Sequence, residues 1–220
     1  MYYSIKEDKL VTLAEYKAQM PEDQEAIYYA CGQNANRIKQ LPQAELVLDK
    51  GYDILAMTDD VDEFAIKIMG EFEGKQYRSI SGGDLGLDNE EDKKALEEKN
   101  ADHKALFDFI EEALGDKVKA VRLSARLKSH PVCLASDGPL SLEMEKILNT
   151  MPADQKVKAD RILEINANHE IFQTLLQLLE DDQDKLKKYS ELLYNQALLI
   201  EGMPIEDPVA FANTVCSIMS

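Results

Sequence analysis

Apolar and polar positions follow two successive rhythms along this chain. Up to about residue 81, short apolar runs alternate with stretches of helical spacing. Ala26–Cys31 and Tyr52–Met57 are apolar runs bounded by turn residues, the pattern of buried strands. Around them the spacing predicts helices from Thr12 towards Met20, where Pro21 stops the helix, over Asn34–Gln40, over Ala44–Lys50, where Gly51 ends it, and over Val61–Met69. A short strand, Tyr77–Ser81, completes the set. Strands alternating with helices predict a small, mostly parallel sheet with helices packed on it, an α/β unit.

Gly82-Gly83 breaks that rhythm, and Asn89–His103 is charged on nearly every side, which reads as a solvated helical connector. The domain boundary is placed within it near Asn100, giving residues 1–99 and 100–220. The rear part opens with an amphipathic helix, Leu106–Leu114, closed by Gly115. Val118–Ala125 and Val132–Ser136 read as strands, Ile162–Ile165 as a short strand or turn, and the remainder from Ser141 as helical. An α/β unit followed by a helix-rich α+β domain with a short sheet is the expected fold.

Two helical stripes stand out. Between Gly138-Pro139 and Pro152, the positions Met144, Ile147, Leu148 and Met151 share one face. The pattern alone favours an ordinary core helix, although its polar flanks place it on an excursion, and methionines suit a surface that fits varied partners. In the tail, Leu186, Tyr189, Leu193, Ala197 and Ile200 form a stripe that Leu192 and Leu199 widen. A further helix starts at Pro208 with Asp207 as N-cap, and Val209, Phe211, Ala212, Val215, Cys216, Ile218 and Met219 cover well over half of it. Two helices this apolar exceed what one small domain can bury; pairing with a second copy as a four-helix bundle would cover the excess.

Composition narrows the functional classes. With 220 residues the chain can bury one or two real cores, and a formal net charge of −17 argues against binding nucleic acid or an anionic membrane surface. No apolar run reaches the length of a membrane span and the first residues lack a signal-peptide core, so the cytoplasm is the default. Cys31, Cys133 and Cys216 lie far apart in apolar surroundings and read as small buried hydrophobes, neither a disulfide framework nor a zinc site.

Candidate chemistry is sparse. No phosphate-binding glycine loop, nucleophile elbow or H-E-x-x-H helix occurs, and His103, His130 and His169 are isolated from one another. The carboxylates at Asp59, Asp60, Asp62 and Glu63 lack calcium-loop spacing; Thr58, Asp59 or Asp60 is expected to cap the following helix, with Asp62 and Glu63 in its first turn.

The same segment carries a resemblance. Met57-Thr58-Asp59-Asp60-Val61-Asp62-Glu63-Phe64 resembles the M-x-D-P-I-D-E-aromatic segment of the 90-kilodalton heat-shock chaperones, bacterial members in particular. In order along the chain, Thr12-Leu13-Ala14-Glu15-Tyr16, Ile27-Tyr28-Tyr29, Leu114-Gly115-Asp116-Lys117-Val118, Ser124-Ala125-Arg126-Leu127, Ile162-Leu163-Glu164-Ile165-Asn166 with His169, and Glu206-Asp207-Pro208 with Phe211-Ala212 also resemble that family. Asp60 and Ala167 stand where the family has proline, the second loosening a turn of unknown role.

The resemblance covers only the rear of such a chaperone: the end of its middle domain plus its carboxyl-terminal dimerisation domain. It implies client contacts at Phe64, Met144, Ile147, Leu148 and Met151. It also implies a homodimer through Leu186, Tyr189, Leu192, Leu193, Ile200, Phe211, Val215 and Ile218. ATP and Mg²⁺ would be handled by earlier parts of the full-length protein, leaving this chain with no cofactor, no catalytic residue and no metal. Partly unfolded proteins and a second copy are the implied partners. The rival readings are a free-standing α/β enzyme with an interdomain site and a purely structural dimerisation module with the Met144 stripe buried.

Overall fold

The computed structural model describes residues 1–152 and 156–219. The chain forms two compact units, Met1–Leu85 with Asp137–Ala159, and Gly86–Ser136 with Asp160–Ser220. The charged connector thus lies in the second unit, and residues 137–159 in the first.

The first unit begins with the hairpin β1 (Tyr2–Ser4) and β2 (Lys9–Val11), followed by α1 (Leu13–Gln19), β3 (Ala26–Cys31), α2 (Ala35–Lys39), α3 (Ala44–Asp49), β4 (Ile54–Met57) and α4 (Asp62–Met69). A second hairpin, β5 (Glu71–Phe72) and β6 (Lys75–Ser79), closes the run. The sheet order is β2-β1-β4-β3-β6-β5. Its centre is parallel, as the alternation of strands and helices requires; both margins are antiparallel hairpins. Ile27, Tyr29, Leu55 and Met57 pack with Val11, Tyr16 and Ile66 in one core cluster, while the alternate residues Tyr28 and Ile54 are also buried. Helix-bearing connections cover a parallel centre on both faces, which is why these runs read as continuous apolar rather than alternating.

Local chemistry sets the element ends. Thr12 and Glu15 form a reciprocal capping box at the start of α1. The two-residue turn Glu73-Gly74 has φ of 47° and 79°, the mirror-image turn that matches strand twist in a tight hairpin.

The second unit holds α5 (Glu90–Asp102), α6 (Lys104–Leu114), a single 3₁₀ turn over Gly115–Lys117, β7 (Ala120–Leu123) and β8 (Val132–Asp137). After α7 (Leu142–Thr150), which folds with the first unit, come β9 (Asp160–Ile165), α8 (Glu170–Asp181), α9 (Gln183–Glu201) and α10 (Pro208–Met219). The three-stranded sheet runs β7-β9-β8, so the segment read as a short strand or turn is its central strand. Leu106, Phe107, Ile110 and Leu114 of α6 and Phe172 and Leu175 of α8 are buried, and α9 packs against both helices. No described helix is long and apolar enough to cross a membrane.

Candidate functional site

The buried strand β4 delivers the chain to residues 58–61, where α4 begins. None of Thr58, Asp59 and Asp60 caps it, contrary to expectation: Val61 is the N-cap, without a side-chain hydrogen bond. A backbone turn makes the approach instead, the Asp62 N–H donating to the Asp59 carbonyl at 2.9 Å while the Asp62 carboxylate accepts the Asp59 N–H at 3.3 Å. Glu63 lies in the first turn as expected, and it is buried. Its Oε2 accepts the Cys31 thiol at 3.0 Å, and burial together with this carboxylate pushes the thiol pKa well above its ordinary value. Phe64 is half-buried on the same helix, whereas Val61 and Ile68 are exposed.

Helix α7 packs against α4. Ser141 caps it, its Oγ accepting the Met144 N–H at 3.1 Å. Lys67 of α4 donates to the Pro139 carbonyl at 2.7 Å, and the Glu145 carboxylate accepts the Ala159 N–H at 2.9 Å. The Met144 stripe is therefore only partly open. Ile147 is 6% exposed, a departure from the expected exposed position; Leu142 and Glu145 are the other buried residues of this helix. Met144 and Leu148 are half-buried and Met151 is exposed. Phe64 and the stripe thus lie on two helices that pack on each other within one unit.

In the tail, two of the expected interface positions are interior to their own chain. Leu186 is 0% and Leu193 3% exposed, on a helix that packs against α6, α8 and α10. Tyr189, Leu192 and Ile200 are half-buried, as are Phe211, Val215 and Ile218 of α10. Asp207 caps α10 as its spacing predicts, accepting the N–H groups of Val209 and Ala210. Despite its apolar composition, α10 has no buried residue. Cys216 is exposed, which corrects its reading as a buried hydrophobe, while Cys133 is buried and Cys31 intermediate.

The residue that sequence reasoning overlooked is Glu164, next to the end of the central strand β9. Its 1% exposed carboxylate receives Arg122 at 2.7 Å, Arg126 at 2.9 Å and the Ser124 hydroxyl at 3.0 Å. The signal was present: a lone charge inside the apolar run Ile162–Ile165 must bring its own partners. The histidines serve locally, His169 capping α8 and His103 standing edge-on to Phe172. Among the described residues no group of three or more His, Cys, Asp or Glu is placed to hold a metal ion. A small cleft of about 80 Å³ in the first unit is lined by Lys6, Tyr16, Gln24 and Asp53, but Gln24 donates to the Tyr16 oxygen and the Tyr16 hydroxyl to the Asp53 carbonyl.

The sequence profile of the family described as "Hsp90 protein" matches residues 1–220. The "Chaperone protein HtpG" of Bacillus subtilis (strain 168) is 57% identical over 219 residues, and that of Clostridium acetobutylicum 58% over 219 residues. The protein of the same name from Clostridium botulinum (strain Langeland) is 55% identical over 219 residues. Each comparison covers 100% of this chain and 35% of the relative, so the chain spans about a third of the proteins it resembles. With the profile matched from end to end, this chain belongs to the Hsp90 family of chaperones.

Proposed function

We propose that this chain is the part of an HtpG-like chaperone that holds partly unfolded client proteins and joins two protomers. The observation that carries the reading is α10, a helix rich in apolar residues of which none is buried within the chain. A second copy covering α10 makes a lasting dimer, which raises the effective concentration of the attached arms for one another. In the whole protein, ATP and Mg²⁺ bound elsewhere drive closure of those arms in the cytoplasm, and this chain supplies grip and attachment without catalysing a reaction. Clients rest on Met144, Leu148 and Met151 of α7 and on Phe64 of α4.

One side chain buried against a client contributes at most about 1.5–3 kcal/mol, so useful affinity needs several contacts or both protomers. Changing Met144 and Leu148 to Ser should therefore weaken binding of a permanently unfolded protein, such as reduced carboxymethylated α-lactalbumin, by about tenfold or more in fluorescence anisotropy. The unfolding temperature should stay nearly unchanged. A second reading, a structural module whose α7 is core, draws on the burial of Leu142 and Ile147. Loss of thermal stability with client binding intact would decide for it.

A further inference from the structure

Helix α7 is short, and apolar packing holds only part of it. Leu142 and Ile147 are buried, but no residue of the helix after Ile147 is. A nine-residue helix has little stability of its own, so its last turn depends on partners outside it. Residues 156–159 supply them. They belong to no strand, and the peptide groups of Val157 and Ala159 bond to side chains of α7 instead. The Asn149 carboxamide engages Val157 twice, its Oδ1 accepting the N–H at 2.9 Å and its Nδ2 donating to the carbonyl at 2.8 Å. One turn earlier the carboxylate of buried Glu145 accepts the Ala159 N–H at 2.9 Å. Four helical residues rise about 6 Å and two extended residues span about 6.6 Å, so these side chains meet alternate residues as a neighbouring strand would. The paired bonds to Val157 are those an opposing antiparallel residue makes.

We propose, resting on the client-holding role of α7, that Asn149 with Glu145 behind it is a positioning residue for that face: it keeps the last turn wound and so fixes where Leu148 and Met151 point. Asn149 sits between those two positions, and anchoring its side chain sets the roll of the turn that carries them. In that turn the Met151 N–H donates to the Leu148 carbonyl at 3.2 Å and the Thr150 hydroxyl to the Ile147 carbonyl at 2.7 Å, bonds that exist only while it is wound. A turn ordered before the client arrives need not be ordered by it, so contacts at Leu148 and Met151 keep more of their free energy. The role needs a carboxamide, because that group offers a donor and an acceptor on neighbouring atoms without charge.

The test compares Asn149→Ala with Asn149→Gln, which keeps both amide groups on a stem one methylene longer. In Asn149→Ala, hydrogen exchange at the Val157 and Met151 amides should rise about tenfold, as for one or two lost hydrogen bonds. The Glu145 amide, bonded to the Ser141 carbonyl in the first turn, should keep its wild-type rate. Affinity for reduced carboxymethylated α-lactalbumin should fall about fivefold with the unfolding temperature nearly unchanged. Asn149→Gln should recover most of both losses. Wild-type exchange at Met151 in Asn149→Ala would overturn the proposal, as would equal acceleration at Glu145 and Met151, the mark of a merely structural role. So would fast exchange at Met151 with client affinity intact while Met144→Ser/Leu148→Ser lowers it. If that serine pair leaves affinity unchanged, the client-holding reading itself has failed and the positioning role falls with it. Should Asn149→Ala not fold, Asn149→Asp, which keeps the acceptor alone, is read at Met151 in the same way.

Discussion

At the scale of single residues, the buried carboxylates Glu63 and Glu164 do different things because their partners differ. Glu164 gathers two guanidinium groups and a hydroxyl in the sheet of the second unit. Removing one partner of such a buried set leaves the other charge without its counterion, a loss of about 3–5 kcal/mol. Glu164→Gln should thus lower the stability of the second unit by several kcal/mol in urea titration, and a loss below about 1 kcal/mol would show that the guanidinium groups find other partners. Glu63 instead holds a thiol. The folded pKa of Cys31 lies above the ordinary 9.0, so the thiol form is favoured in the fold. Its contribution to stability is complete below the unfolded value and is lost as pH rises through the folded one. Alkylation at mildly alkaline pH should therefore proceed fastest at exposed Cys216, slowly at Cys31, and at buried Cys133 only after unfolding. Equal rates at Cys216 and Cys31 would contradict the buried thiol–carboxylate pair. The charge inside the run Ile162–Ile165 signals that Glu164 needs partners, but which residues partner it or Glu63 was not legible in the sequence, because they come from 32 and 42 residues away. The turn at Ala167 is held by Asn166, whose Nδ2 donates to the carbonyls of Lys128 and His130 at 3.1 and 2.9 Å.

Elements were legible where a periodic pattern and an end signal coincided. Helices α1, α2, α5 and α10 start after the capping residues Thr12, Asn34, Asn89 and Asp207, because a side-chain oxygen satisfying a free N–H is a local event. The parallel centre of the first sheet followed from its apolar runs. Strands β1, β2 and β5 went unread, being two or three residues long, marginal and partly polar, so that tertiary pairing rather than sequence pattern makes them strands. The start of α4 was misread since a backbone turn did the work assigned to side chains. The face of α7 was half legible: spacing identified its stripe, but which edge turns inward depends on α4 and residues 156–159, far away or beyond a proline. That division makes a graded prediction. Ile147→Ala should destabilise the first unit by about 2–4 kcal/mol, as for other buried aliphatic truncations, while Met151→Ser should change stability by less than about 0.5 kcal/mol. Equal effects in thermal or urea unfolding would mean that the stripe is uniformly core or uniformly open.

For the whole molecule the decisive matter is what covers the apolar surface of the tail. Leu193 cannot report on it: at 3% exposure it is interior to its own chain, and a charge there would unfold the unit before it touched any partner. Leu199 is the better probe, being 47% exposed on the same helix, near the turn that leads to α10. An aspartate at Leu199 meets water in an isolated chain and costs little there. If a second copy covers the helix, the same aspartate is taken from water without a partner, at several kcal/mol. Wild type should keep a dimer mass through dilution to nanomolar concentration, and Leu199→Asp should dissociate at concentrations at least about a hundredfold higher, since each 1.4 kcal/mol shifts the equilibrium tenfold. Its unfolding temperature should then depend on protein concentration only as far as the remaining dimer does, because association stabilises by mass action. A wild-type chain that sediments as a monomer at micromolar concentration would refute pairing through the tail and leave the exposed face of α10 to some other partner. Loss of helical structure in the variant at all concentrations would show that Leu199 belongs to the chain's own core.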